Sequence, residues 1–230
     1  MPIGTLPELY DELFSRPALA ALETFMDLKQ IRNKSLEAAR ALGVEVLATL
    51  PLLEAGLQMR SVRETSSRIL AMNAVAATAY GFDRAKAIAW LNQEGLTGSL
   101  TEQEKLFVFE GAGRPERFRA QVEGMWALAW AMGIAGELDF GKDCDNRFAT
   151  MVPNIKQSES GADFSNKARP LPLDQVVSAC DLAYCLHWAI RQSELIGKRP
   201  PANLKPYVIL ERRRALEWLL TREAWDDGPR

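Results

Sequence analysis

Helix starts and stops recur along this chain, and no stretch sustains the apolar–polar alternation of a half-buried strand. Nothing else in the sequence constrains the fold as much. Thr5–Glu8, Ser61–Glu64 and Thr101–Glu104 have the capping-box form, in which a hydroxyl and a carboxylate three residues on satisfy N–H groups of a first helical turn. Gly43 and Gly81 follow runs of helix formers and are placed to close them. The expected class is all-α, or nearly so.

The punctuation predicts the elements in order. A helix follows Thr5, breaks near Pro17 and resumes through "ALAALETFMDLKQ" and "RNKSLEAARALG". "VEVLATLPLLEAGLQM" reads either as a short strand or as an irregular connection, because Pro51 and Gly56 interrupt its apolar residues. Helices are then expected from Val62 to Gly81, over "DRAKAIAWLNQEG", from Glu102 through Phe109, and from Pro115 to Gly133. The last of these ends in "GMWALAWAMGIA", which reads as a helix buried on all sides and central to the domain. Residues 136–171 are rich in Gly, Asp, Asn, Ser and Pro and form one long irregular loop. Helices over Leu173–Glu194 and Tyr207–Leu220 complete a single compact domain, 32–225, preceded by a helical N-terminal extension, 1–31.

With 230 residues, 47% of them hydrophobic, the chain can build a proper core. The net charge of -2 argues against a nucleic-acid binder. Cys144, Cys180 and Cys185 match no zinc spacing, and their odd number suits a reducing compartment. The N-terminus has no signal-peptide pattern, and the longest apolar run falls short of the about 20 residues that span a bilayer. A cytoplasmic protein that does not enter the membrane is the expectation.

The last helix carries an anomaly. Its apolar stripe passes through Val208, Ala215, Leu216 and Leu219, and Arg212 projects into the middle of it. Glu123 opens the apolar run of the central helix and has the complementary problem. An inward guanidinium needs a carboxylate or several carbonyls, so Arg212 is expected to meet Glu123, or else Asp181 or Glu211. His187, the single histidine, lies on the apolar side of the Leu173–Glu194 helix with Val176, Cys180, Ala183 and Ile190. The ordinary reading is a buried histidine with one hydrogen-bond partner, and no triad is visible around it.

The basic run Lys198–Arg222 reads as a solvated helix face with Glu–Arg pairs. Asp139, Asp143 and Asp145 fail as an EF-hand, because Phe148 stands where glycine belongs and Asn154 where glutamate belongs. No phosphate-binding, dinucleotide, nucleophile-elbow or zincin motif is present. No catalytic residue, metal or cofactor is therefore assigned.

Several stretches together resemble a known family. "RNKSLEAARALGVEVLATLPLLE", "VRETSSRILAMNAVA", "LTEQEKLFV", "WALAWAMG", "LAYCLHWAIR" and, most specifically, "VILERRRALEWLL" are similar to the bacterial domain of unknown function 4272. The resemblance covers about residues 32–225. It implies a mainly helical domain around the Trp-rich helix, with His187, Trp188, Arg212, Arg213, Glu217 and Trp218 at the marked positions, and it implies no activity.

Three functions compete. The expected one is a non-catalytic protein-binding module of toxin-immunity or adaptor type, with the acidic N-terminal extension and the 136–171 loop as candidate surfaces. The alternative is an enzyme or ligand-binding protein with a pocket in which Glu123, His187 and Arg212 take an anionic small molecule. The third is a homodimer, since six tryptophans offer more aromatic area than a small core needs.

Overall fold

The computed structural model describes residues 27–228. Among them are nine α-helices and no strand: α1 (Leu28–Ala41), α2 (Val62–Ala79), α3 (Arg84–Gln93), α4 (Glu102–Lys105), α5 (Pro115–Ala120), α6 (Val122–Ala131), α7 (Ala162–Lys167), α8 (Leu173–Leu195) and α9 (Pro206–Leu220). Packing runs in the order α1–α8–α9–α6–α2, with α3, α5 and α7 set around α2. The expected helices over residues 5–26 lie outside the described residues.

Local chemistry accounts for the boundaries. The Asp27 carboxylate accepts hydrogen bonds from Lys29 N at 3.0 Å and Gln30 N at 3.1 Å, so α1 begins at Leu28. The expected continuous run through "MDLKQ" is therefore broken at Asp27, whose backbone is extended. The Thr101 box forms with both arms, Glu104 N to Thr101 Oγ1 at 3.3 Å and Thr101 N to Glu104 Oε2 at 2.9 Å. Ser61 caps Glu64 N at 3.2 Å, but the Glu64 carboxylate turns to Arg60 instead of closing a box. The single helix expected from Pro115 to Gly133 is two, meeting at Gln121.

The centre is α6, where every residue but the half-buried Val122 and Trp130 is buried. It approaches α9 closely because Gly124 faces Ala215: a Cβ on Gly124 would lie 3.2 Å from Glu211 O and 3.5 Å from Ala215 Cβ. Four tryptophans, Trp90, Trp126, Trp218 and Trp225, are buried within the chain, and Trp130 and Trp188 are half-buried. The aromatic area that suggested a dimer is absorbed largely by the chain's own core.

The 136–171 segment contains two short 3-10 turns and α7. Its buried anchors include Phe140, Phe148, Ile155 and Phe164. Phe148 packs edge-on to Trp126 at 5.2 Å, and Glu159 O accepts from Trp90 Nε1 at 2.8 Å. The ambiguous 44–59 stretch is an irregular connection lying between α1 and the end of α9, where Arg60 N donates to Leu219 O at 2.9 Å.

Candidate functional site

Arg212 is fully buried and Glu123 is 4% exposed. Arg212 Nε and Nη2 both donate to Glu123 Oε2, at 3.0 and 2.7 Å. The rest of the guanidinium reaches the loop after α6: Nη1 donates to Asp139 O at 2.6 Å and Nη2 to Lys142 O at 2.9 Å. Glu123 Oε1 accepts from Cys144 N at 3.0 Å. The pair thus joins α6 to α9 and fixes both sides of the 139–144 turn. Asp181 and Glu211, the other candidate partners, bond Arg32 and Arg214 instead. A cavity of about 340 Å³ lies over this turn, lined by Arg212, Trp126, Asp139, Asp143 and Asp145 among others. Three of its lining carboxylates are engaged by cations: Asp139 with Lys142, Asp143 with Lys205, and Asp145 with Arg147.

His187 is 6% exposed and belongs to a different cluster. Its Nδ1 lies 2.7 Å from Arg213 Nη1. A guanidinium has no lone pair to give, so Nδ1 is the acceptor and the ring proton sits on Nε2. Burial, followed by the charges of Arg213, Arg191 and Arg214, pushes the imidazole down to about 4. In a Ser-His-Asp triad a carboxylate accepts from histidine Nδ1–H; the Nδ1 of His187 faces a guanidinium instead. Arg213 also donates from Nε to Glu217 Oε1 at 2.6 Å and lies over the Tyr184 ring, 4.9 Å from its centroid. Burial raises the Glu217 carboxyl above its usual range against the pull of Arg213.

The thiols are also held in the protonated form. Burial, then Glu123, pushes Cys144 up to about 12, and burial, then Asp181, pushes Cys185 up to about 11. Cys180 is fully buried and is raised as well.

The sequence reading missed two further buried pairs. Arg32 meets Asp181 through Nε and Nη2 at 3.0 and 2.7 Å, and donates to Leu50 O and Pro51 O at 2.7 and 2.8 Å. Arg68 meets Glu104 through Nη1 and Nη2 at 2.6 and 2.8 Å, and donates to Ser99 O at 2.9 Å. The helical wheel that exposed Arg212 would have found both. Arg32 shares a stripe with Ile31, Ser35 and Ala39, and Arg68 with Thr65, Met72 and Val75, all buried.

The connection that Arg32 holds by its carbonyls forms a wall between two surface cavities. On one side a cavity of about 790 Å³ lies between residues 52–57 and the end of α9, where Arg213 and Glu217 reach it. On the other side is a groove of about 900 Å³ with an apolar floor of Leu28, Leu52, Ala55, Leu57 and Leu173. Asp27, Lys29 and Glu54 stand at its rim, and Leu52 is 42% exposed. Arg212 and His187 are not among the lining residues of this groove.

A family model described as Domain of unknown function (DUF4272) matches residues 32–228. The chain belongs to that family. No curated protein and no solved structure matches it. Residues 32–228 of the family match contain the three buried arginine pairs, the His187–Arg213–Glu217 cluster and the 52–57 wall. No group of described His, Cys, Asp and Glu residues is arranged to hold a metal ion, and no described helix is long and apolar enough to cross a membrane.

Proposed function

We propose that this chain is a non-catalytic protein-binding module of immunity or adaptor type, which takes an amphipathic helical segment of its partner into the groove beside residues 52–57. The observation that carries the reading is the groove itself, open, of about 900 Å³ and floored by leucines from α1, α8 and the connection from α1 to α2. An apolar trough with a charged rim suits one face of a helix, whose apolar residues at i, i+3 and i+7 supply the anchors. The groups that could do chemistry are committed elsewhere. His187 gives Nδ1 to Arg213, Arg212 gives its donors to Glu123 and two carbonyls, and the thiols are protonated. The alternative of an anionic ligand between Arg212 and His187 has less behind it, because the two side chains bond different partners.

Tagged full-length protein is passed through its native lysate, and bound proteins and small molecules are identified by mass spectrometry. The expected result is one protein at stoichiometric level, captured by the wild type and lost with Leu52→Asp/Leu57→Asp. A partner retained by that variant, or a bound metabolite with no protein, would overturn the groove as the binding surface.

A further inference from the structure

We propose that the cavity framed by the start of α2, residues 98–102 and the segment from Trp218 to Asp226 binds a small uncharged amide or lactam. Its volume is about 470 Å³, and it shares no lining residue with the groove, with the Arg212–Glu123 pair or with the His187–Arg213–Glu217 cluster. Two stacked pairs form one wall. The Arg68 guanidinium lies over the Trp225 ring, 4.2 Å from its centroid, and that of Arg60 lies over Trp218 at 4.4 Å. The two indoles meet edge to face, with 5.7 Å between centroids.

Two donors of this wall have nothing to donate to. Arg68 and Trp225 are 3% and 4% exposed, yet neither Arg68 Nε nor Trp225 Nε1 has an acceptor among the described residues. Comparable groups elsewhere in the chain obey the rule that buried donors are paired. Trp90 and Trp126 donate from Nε1 to Glu159 O and Glu137 O, and Arg32 and Arg212 give Nε to a carboxylate. Arg68 differs because it meets Glu104 with Nη1 and Nη2, which leaves Nε over. With the guanidinium stacked on the indole, the two free N–H groups are neighbours. One carbonyl oxygen, with its two lone pairs, can accept from both.

The charge of the lining decides which carbonyl compound fits. Arg60 and Arg68 are already matched by Glu64 and Glu104, and Glu102 and Asp226 bring two further carboxylates to the lining. An anion would find no net positive charge here, so the acceptor belongs to a neutral molecule. The same carboxylates accept N–H from the ligand. A carbonyl accompanied by N–H is the amide or lactam group, and Leu100, Ala224 and the indoles supply apolar surface for the ring that bears it. The volume falls within the range of small-molecule sites, about 300–1,000 Å³.

The test titrates nicotinamide and uracil into the full chain by calorimetry, beside nicotinate, which matches nicotinamide in shape but is an anion. Saturable binding of a neutral probe, and none of nicotinate, is expected. No binding of either neutral probe, or equal binding of nicotinate, would overturn the proposal. Trp225→Phe keeps an aromatic ring and removes Nε1–H, and should weaken binding about fivefold, the loss of one hydrogen bond. Gly98→Phe fills the cavity from a position where an added Cβ meets nothing within 4 Å and φ is not left-handed. It should abolish binding at wild-type Tm, and it keeps the test open should Trp225→Phe fail to fold. Unchanged affinity in a folded Trp225→Phe, or binding that survives Gly98→Phe, would show that the ligand does not sit on these donors. Leu52→Asp/Leu57→Asp, which disables the groove, should bind the probe as the wild type does, so failure of the groove leaves this site standing.

Discussion

A guanidinium at a position with no solvent exposure is tolerated only when its donors are engaged, and Arg212 makes hydrogen bonds to one carboxylate and two carbonyls. Removing one member leaves the other charge buried. Glu123→Gln and Arg212→Met should each cost about 3–5 kcal/mol, which for a chain of this size lowers Tm by roughly 6–20 °C in calorimetry. Glu123→Leu/Arg212→Met should lie between the single variants and the wild type, because it removes both charges yet leaves Asp139 O, Lys142 O and Cys144 N without their partners. A double variant no better than the worse single would show that the two charges are not energetically coupled. His187 makes a separate claim about pH. Its folded value of about 4 lies below the ordinary 6.5, so between those values the unfolded chain binds a proton that the folded chain refuses. Stability therefore falls as pH drops through that window, by on the order of 3 kcal/mol in full. Glu211 and Glu217 act in the opposite sense, since their raised carboxyls bind protons more readily when folded. Comparing urea midpoints at pH 7 and pH 4.5 for the wild type and His187→Asn, which keeps an acceptor towards Arg213, isolates the histidine. An identical pH dependence in the two proteins would contradict the buried, neutral imidazole.

The elements are held by local rules that a sequence displays and by long-range pairs that it does not. Thr101→Ala removes one arm of a two-armed capping box and should destabilise by about 1 kcal/mol. Gly133 closes α6 at φ 67°, and a Cβ there would lie 2.4 Å from Arg169 O. That carbonyl belongs to the strap whose N–H groups cap α6, Arg169 N to Met132 O and Leu171 N to Ala131 O. Gly133→Ala should therefore destabilise by about 2 kcal/mol or more, beyond backbone strain alone, and a urea midpoint within error of wild type would refute the fit. The capping residues and the left-handed stops at Gly43 and Gly81 were legible because their chemistry is complete within four or five residues. Arg212 was legible as an inward charge because a 100° rotation per residue places it in the stripe. Its loop contacts were not, since Asp139 and Lys142 lie about 70 positions away in the chain and contribute only backbone oxygens, which no residue identity announces. The Gln121 break between α5 and α6 also left no signal, as glutamine forms helices well. The groove was illegible for another reason: its floor is assembled from α1, α8 and a connection whose sequence reads equally as a strand.

Each of the three buried pairs joins two helices and also grips backbone in a connection: Arg32 with Asp181 at residues 50–51, Arg68 with Glu104 at Ser99, and Arg212 with Glu123 at 139–142. They do not occupy equivalent places. Arg212–Glu123 joins α6 and α9, in the middle of the packing order, so its loss is felt by every helix. Arg32–Asp181 ties α1 to α8 at one end of that order, and α1 packs chiefly on α8. Loss of this pair should loosen an edge instead of the centre. It should also release the start of the 52–57 wall, because the same guanidinium holds Leu50 O and Pro51 O. Arg32→Met is accordingly expected to raise amide exchange in Leu28–Ala41 at least tenfold, to leave α6 and α9 at their wild-type rates, and to weaken whatever binding the groove supports. Arg212→Met under the same conditions should speed exchange throughout. If Arg32→Met instead accelerates all helices equally, the molecule opens as one unit and α1 is no separable edge. The groove would then be as rigid as the core, and a partner's helix would have to enter it without loosening its wall.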